Sequence, residues 1–262
     1  MGPRDVGILD PFLAPSVINA KLNDKVLSYT IFGNNPDVDI ATEEDVIDTG
    51  GDFLYPAGAD VLSVVSAAAG DNPAGPGLGT LYILGLDENW DLQEDTLDLN
   101  GITPVQTTTQ WIRIYFIYGF TPALTVSNPN AKAAGNITAT VGGTLQATIL
   151  LGNTSSRNCV FTIPRNYTGF VSLVYISGKT GDNFIVRFQT RVQGSTFISG
   201  NDLEVAAGQF INVQFDPRTG NITERSDLKA RAIAVTNNAA VRINFTITLI
   251  RNDYLQTLSE SI

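Results

Sequence analysis

Six carboxylates lie in the twelve residues from 37 to 48: Asp37, Asp39, Glu43, Glu44, Asp45 and Asp48. Two kinds of chemistry use such groups. A glycoside hydrolase sets one carboxyl as the acid and a second as base or nucleophile across the bond to be cut. Those two groups come from different strands facing a groove, whereas acids crowded into one short span form a solvated loop more often than a catalytic pair. A hard cation is the other user. Asn35, Asp37 and Asp39 stand at i, i+2 and i+4, as oxygen ligands do in a tight calcium loop. Ile40 occupies the place of the EF-hand glycine and Val46 that of its twelfth-position glutamate, so the EF-hand pattern fails. A cation held outside that pattern is one reading of these oxygens. An acidic turn tied by Asx hydrogen bonds is the other.

Composition narrows the rest. The chain has no histidine, which removes Ser-His-Asp and Cys-His arrangements, imidazole bases and His-ligated metals. Its single cysteine, Cys159, sits in the apolar run NCVFTI and reads as a small buried strand residue, with no partner for an intrachain disulfide. The glycine-rich stretch over residues 70–79 lacks the Lys-Ser/Thr of a phosphate loop, and Pro73 and Pro76 remove amide donors that a phosphate cradle needs. It reads as a polar loop between strands. Trp90, Trp111, Tyr115, Phe116, Tyr118 and Phe120 could stack on sugars, but residues 111–117 read first as an interior strand, because aromatic and β-branched residues favour strands. The Asn-x-Ser/Thr triplets at Asn136, Asn153, Asn166, Asn221 and Asn244 read as turn asparagines beside strand threonines. No cofactor is expected, and no enzymatic activity.

The elements that must position these residues are strands. The 262 residues are 43% apolar and 16% charged, enough to bury a core. Helical periodicity is almost missing, and glycine, proline, asparagine and threonine punctuate short alternating runs, so the expected class is all-β. Residues 1–28, with Pro3, Pro11 and Pro15, read as an extended arm. An acidic β domain is expected over residues 29–135 and a C-terminal β-sandwich over 136–262, both sandwich- or jelly-roll-like. The Asn-Asn-Pro of residues 34–36 reads as a turn. Strands are expected at 27–32, 61–66, 79–86, 92–99 and 111–118, with a turn at 87–91. Asn100-Gly101, a strong hairpin signal, predicts that 92–99 folds back on the segment after it. Residues 119–135 read as a connector. Val241, Ile243, Phe245, Ile247 and Leu249 alternate with more polar neighbours, the mark of a strand with one buried face. Its expected partner is 228–235, joined through Asn237-Asn238, with Phe184, Val186 and Phe188 packing opposite the small residues Ala230, Ala232 and Ala234. Residues 210–215 should add a strand, closed by a turn at 216–220.

Charge divides the chain. Residues 1–104 hold three basic side chains against eighteen acidic ones, and residues 105–262 hold thirteen against eight, so a half of charge −15 adjoins one of +5. Two units with different neighbours are implied. No basic, aromatic-studded patch for nucleic acid stands out. The first residues lack the apolar core of a signal peptide, and no 18-residue apolar run occurs elsewhere, so no membrane partner is expected and the product should be made in the cytoplasm.

One segment carries a likeness. Residues 32–56 resemble a stretch shared by virion structural proteins of tailed bacteriophages, many from marine and freshwater hosts. Those proteins carry FG-x-NPD, an acidic run, Asp-Gly-Gly, then an aromatic and a proline. The matching residues are Phe32, Gly33, Asn35, Pro36, Asp37, Asp48, Gly50, Gly51, Phe53 and Pro56. Ile47 stands where the relatives usually have Trp, and Thr49 separates Asp48 from the glycines. Gly135-Asn136-Ile137 and Ile163-Pro164 extend the likeness to about residues 30–250. Such proteins are variously described as head decoration, tail or fibre-like. The resemblance implies a non-enzymatic virion component, with a head decoration (cement) protein on the outer head surface as the leading expectation. Its partners would be the major capsid protein or other virion subunits, and copies of itself, a trimer being favoured. Its contact residues would be Asp37, Asp39, Glu43, Glu44 and Asp45, together with Pro11, Phe12 and Pro15 of the arm. A tail, neck or fibre component, and a host-glycan receptor, are the alternatives.

Overall fold

The structure is a computed structural model that describes residues 25–120, 131–214, 220–235 and 238–259. Among these the chain runs β1 (Val26–Val38), β2 (Glu44–Asp45), β3 (Asp60–Ser66), β4 (Thr80–Asp87), β5 (Leu92–Asp98), β6 (Val105–Phe120), β7 (Ile137–Val141) and β8 (Thr144–Ile149). Then come β9 (Val160–Thr162), β10 (Tyr167–Gly178), β11 (Phe184–Val192), β12 (Ile198–Val205), β13 (Phe210–Gln214), β14 (Asn221–Ile222), β15 (Ser226–Ala234), β16 (Ala239–Arg251) and a short helix, α1 (Asn252–Ser259). The protein is all-β, as its punctuated alternation predicts. Pro11, Phe12 and Pro15 lie outside the described residues, as does the arm up to residue 24. Residues 26–28 already belong to β1.

The chain forms two compact units. The N-terminal unit comprises residues 33–36 and 44–160, and the C-terminal unit takes the rest, including residues 37–43. The boundary expected at 135/136 falls at 160/161 instead. The reason is pairing: β7 lies antiparallel to β3, with Leu62 opposite Val141 and Ser66 opposite Ile137.

The N-terminal unit is built on one six-stranded sheet in the order β5-β4-β6-β3-β7-β8. Its centre is β6, sixteen residues long, whose C-terminal part pairs β4 (Ile83 opposite Ile117) while its N-terminal part pairs β3 (Val64 opposite Val105). Register shifts at Leu84/Gly85 and Leu86/Asp87 mark bulges, which bend and twist a sheet, and the curl wraps a core of Leu62, Leu81, Ile83, Trp111, Ile117 and Ile137. β4 is buried on both faces, which explains its nearly continuous apolar run. The turn before β5 forms as expected, with Asp87 Oδ1 accepting the N–H groups of Asn89 and Asp91 at 2.8 and 2.9 Å. The fold-back at Asn100-Gly101 does not form. β5 is an edge strand beside β4, and the next strand, β6, lies on the far side of β4. Gly101 instead docks the loop after β3: its N–H donates to the carbonyl of Asp71 and its carbonyl accepts from Ser66. The expected turn at Asn34-Asn35-Pro36 is also absent. β1 runs straight through it, because both asparagine side chains are spent on hydrogen bonds to residues 44–48.

The C-terminal unit is a two-sheet sandwich. One sheet has the order β1-β16-β10-β13, with β14 also on β10, and the other contains β12-β11-β15, with β9 on β15. Val241, Ile243, Phe245, Ile247 and Leu249 all point inward and are buried. The expected pairing of that strand with 228–235 is overturned. β16 pairs with β10, Ile243 opposite Ile176, and β15 lies in the other sheet. Ala230, Ala232 and Ala234 have Phe188, Val186 and Phe184 beside them on β11, not opposite. The Phe188 ring reaches Phe245 edge-on, with centroids 6.1 Å apart, which joins the two layers. Alternation reveals which face of a strand is buried, but a cross-strand neighbour and a facing sheet satisfy it equally. The turn expected at 216–220 lies outside the described residues except for Gly220.

Candidate functional site

The acid-rich segment opens in the N-terminal unit. Asn34 and Asn35 extend from β1 toward residues 44–53. The Asn34 amide donates to Asp48 Oδ1 at 2.9 Å, and that of Asn35 donates to Glu44 Oε2 at 2.9 Å and to the Asp45 carbonyl at 3.3 Å. Asp45 is wholly buried; its Oδ2 accepts the Phe53 N–H at 2.7 Å and its own N–H donates to the Gly51 carbonyl at 2.9 Å. Arg157 Nε lies 3.2 Å from Asp48 Oδ1, and the Asp48 N–H donates to the Arg157 carbonyl. The Gly50-Gly51 pair turns the chain here with φ of 65° and 73°, a region that side chains disfavour. These are the bonds of a folded clasp.

Burial pushes the Asp48 carboxyl above its ordinary value of 3.8, opposed by the charge of Arg157 and the hydrogen bond from Asn34. The native state therefore holds this proton more tightly than the unfolded chain does. Stability contributed by Asp48 falls as pH rises from 3.8 through the raised value and is level above it. Denaturant melts of the wild type and Asp48→Asn across acidic pH should show the wild type gaining on the variant as pH drops through that window. A flat difference, or one of opposite slope, would remove the effect from Asp48.

Asp37, Asp39 and Glu43 belong to the C-terminal unit. Asp37 and Asp39 are exposed, and the Asn238 amide donates to both, at 3.1 and 3.2 Å. Glu43 is half-buried between two arginines: Arg187 Nη1 lies 3.0 Å from Oε1 and Arg231 Nη1 3.6 Å from Oε2, while Arg231 Nη2 donates to the Glu43 carbonyl. Arg187 also grips Asp202 with two bonds, at 2.5 and 2.8 Å. Its hydrogen bonds lower the Asp202 pKa, and those of Asp202 and Glu43 raise that of Arg187.

The structure thus sorts the six acids. Asp45 and Asp48 are buried in a clasp, Glu43 and Glu44 are engaged by hydrogen bonds within the protein, and Asp37 and Asp39 face solvent. Glu43, Glu44 and Asp45, expected as contact residues, have their carboxylates turned to internal partners. The three oxygens weighed for a cation do not converge: Asn35 donates inward to Glu44, while Asp37 and Asp39 gather around Asn238. Among the described residues no group of three or more His, Cys, Asp or Glu side chains is placed to hold a metal ion.

Within the strand read over 111–117, Phe116 is half-buried. Trp111 and Tyr115 are buried, and the Trp111 indole donates to Thr107 Oγ1 at 3.1 Å. The buried Arg113 guanidinium lies over the rings of both Trp90 and Tyr55, 5.0 and 4.7 Å from their centroids. Tyr118 remains exposed, against Tyr82 at 4.9 Å. Cys159 is buried, as expected.

Two features escaped sequence reasoning. Asp71 lies in the loop read as polar, yet it is wholly buried and accepts four hydrogen bonds. Its signal was faint: an acid inside Gly-Asp-Asn-Pro, a composition that gathers backbone donors. The second is a small pocket of about 210 Å³ between residues 47–54 and β8, lined by Asp52, Leu54, Leu145, Gln146, Thr148 and Asn158 among others. A larger cavity of about 620 Å³, lined by Phe188, Leu203, Val213, Ile222 and Leu228 among others, opens in the C-terminal sandwich.

No family model and no curated protein matches the chain. Among solved structures it is similar to a chain of the cowpea mosaic virus top component, naturally occurring empty particles, at 9% identity and a TM-score of 0.22, over 73% of this chain and 82% of that one.

Proposed function

We propose that the chain is a non-enzymatic structural component of a tailed-phage virion, and within that class a head decoration protein on the outer capsid surface. One observation carries the reading. Six of the ten residues through which segment 32–56 resembles such virion proteins lie in the clasp: Gly33 packs against Cys159, the buried Asn35 donates to Glu44, the buried Asp48 accepts from Asn34, Gly50 and Gly51 make the turn, and the Phe53 N–H is held by Asp45. A segment spent on rigidity suits a protein whose work is interface chemistry. The carboxylates that remain at the surface, Asp37 and Asp39 among them, leave an acidic face toward basic groups of a shell. In this reading the partners are the major capsid protein and further copies of the chain, assembled as a trimer.

Copy number separates this from a tail, neck or fibre role. Quantitative mass spectrometry of purified virions should find the polypeptide in hundreds of copies, and averaged particle images should place it on the head. About a dozen copies or fewer would move it to a neck or tail ring, as closed symmetric assemblies require. Absence from the particle would end the virion reading.

A further inference from the structure

We infer that the outward face of the sheet β1-β16-β10-β13 is where copies of this chain meet. The inference rests on the self-assembly part of the proposed function and names its surface. Because Val241, Ile243, Phe245, Ile247 and Leu249 point inward, alternation turns Asn244 and Thr246 outward. Register carries that face across the sheet. Asn244 stands opposite Tyr175, which stands opposite Asn212, and Thr246 stands opposite Leu173, which stands opposite Gln214. Phe210, two residues before Asn212 on β13, shares the face. Toward β1 the Thr246 and Thr30 hydroxyls lie 3.3 Å apart, so Thr30 and, two positions on, Phe32 share it too. Four large apolar side chains are thereby set into one open surface: Phe32 and Phe210, 52% and 65% exposed, and Leu173 and Tyr175, both 38%. The Tyr175 and Phe210 rings stack with centroids 5.7 Å apart.

Charge decides what covers this face. The strands β10, β13 and β16, and β1 as far as Phe32, contain no Asp or Glu, and among the outward positions Arg242 alone is charged. The other sheet of the sandwich differs: its strands carry Asp202, Glu204 and Asp227, the first paired to Arg187 and the last to Arg191. The chain as a whole has a net charge of −10. Two copies repel wherever carboxylates face each other, so a broad face without them is where they can approach, whereas a basic shell is drawn to the acidic faces. The amides and hydroxyls here are each both donor and acceptor, so the same set can pair from one copy to the next. Strands about 4.8 Å apart with a rise of about 3.3 Å per residue give the face a footprint of about 500 Å². That is below the roughly 800 Å² a side of a standard interface, so the association is reversible and set by concentration.

The test is sedimentation velocity of the intact protein over a wide range of concentrations. The wild type should associate as concentration rises, and added salt should strengthen the association by screening like charges. Phe210→Glu, at an exposed position of the last strand, should keep its melting temperature and raise the concentration of half-association about tenfold or more, the scale of a central aromatic anchor. Phe32→Ser, on the strand at the other edge of the sheet, should act in the same direction. Leu151→Glu, a like change at an exposed leucine of the N-terminal unit, should leave the association unmoved. A monomer at every concentration, an equal loss from Leu151→Glu, or association that weakens with salt would each overturn the proposal. Wild type that associates while Phe210→Glu and Phe32→Ser associate equally well leaves the self-assembly standing and removes this face from it. Loss of head coating by Phe210→Glu with self-association intact would hand the face to the shell and overturn the proposal too. Location is decided separately: protein absent from purified heads that still associates through this face defeats the decoration role and leaves the contact between copies standing.

Discussion

Asp71→Ala is expected to lower the stability of the N-terminal unit by about 4 kcal/mol, enough to threaten its folding, because it strands several buried donors at once. The carboxylate accepts the Ser66 hydroxyl at 2.6 Å, the N–H groups of Leu78 and Ala134 at 2.9 Å each, and that of Gly135 at 3.1 Å. Ser66, Leu78 and Gly135 are themselves buried, so water cannot simply replace the lost oxygens. Each unsatisfied donor costs about 1–3 kcal/mol, and the sum is discounted because the donors share one site and relax together. Asp71→Asn keeps one acceptor oxygen and turns an amide nitrogen toward donors, so about half the loss is expected from the same principle of unsatisfied groups. Both tryptophans, Trp90 and Trp111, lie in this unit, so urea melts followed by tryptophan fluorescence report on it directly. A loss below about 1 kcal/mol for the alanine variant, the scale of an ordinary surface change, would show that the hub is dispensable.

Asp71 also marks where sequence reading runs out. Two of its four donors come from residues 134 and 135, more than sixty positions away, and nothing in the local Gly-Asp-Asn-Pro composition announces them. The acid segment behaved alike. Residue types were visible, but burial depended on Arg157, Arg187 and Arg231, each over a hundred residues further along the chain. What was legible was periodicity. The strict alternation of residues 241–249 and the near-continuous apolar run of β4 each came out as read, since a buried face leaves its mark on every second residue. Pairing was not legible. Ala230, Ala232 and Ala234 asked for bulky neighbours, and the sequence could not say whether these sat across the strand or across the core. Asn100-Gly101 shows the converse error, a strong local turn signal used to dock a loop instead of closing a hairpin.

Gly33→Ala should cost about 3 kcal/mol, at the upper end of what overpacking a tight interior does. The reason is space and not backbone conformation. A Cβ on residue 33 would stand 2.4 Å from the Cβ of Cys159, 2.7 Å from the Val46 carbonyl oxygen and 3.1 Å from the Cys159 nitrogen. Those last two atoms form a hydrogen bond of 2.9 Å, so the methyl would push directly on a bond that ties residues 46 and 159 together. Gly51 supplies the contrast. It has open space around its missing Cβ and a φ of +73°, so Gly51→Ala carries conformational strain alone, about 1 kcal/mol. The ordering of the two variants in a urea melt is the measurement. Cys159→Gly in the Gly33→Ala background removes the nearest clashing atom and should return about 1 kcal/mol relative to the sum of the single changes, as neighbours in contact do. If Gly33→Ala is no worse than Gly51→Ala, or if the double variant shows no coupling, residue 33 is not packed against Cys159, and the clasp that ties residues 33–53 to residues 157–159 is looser than its hydrogen bonds imply.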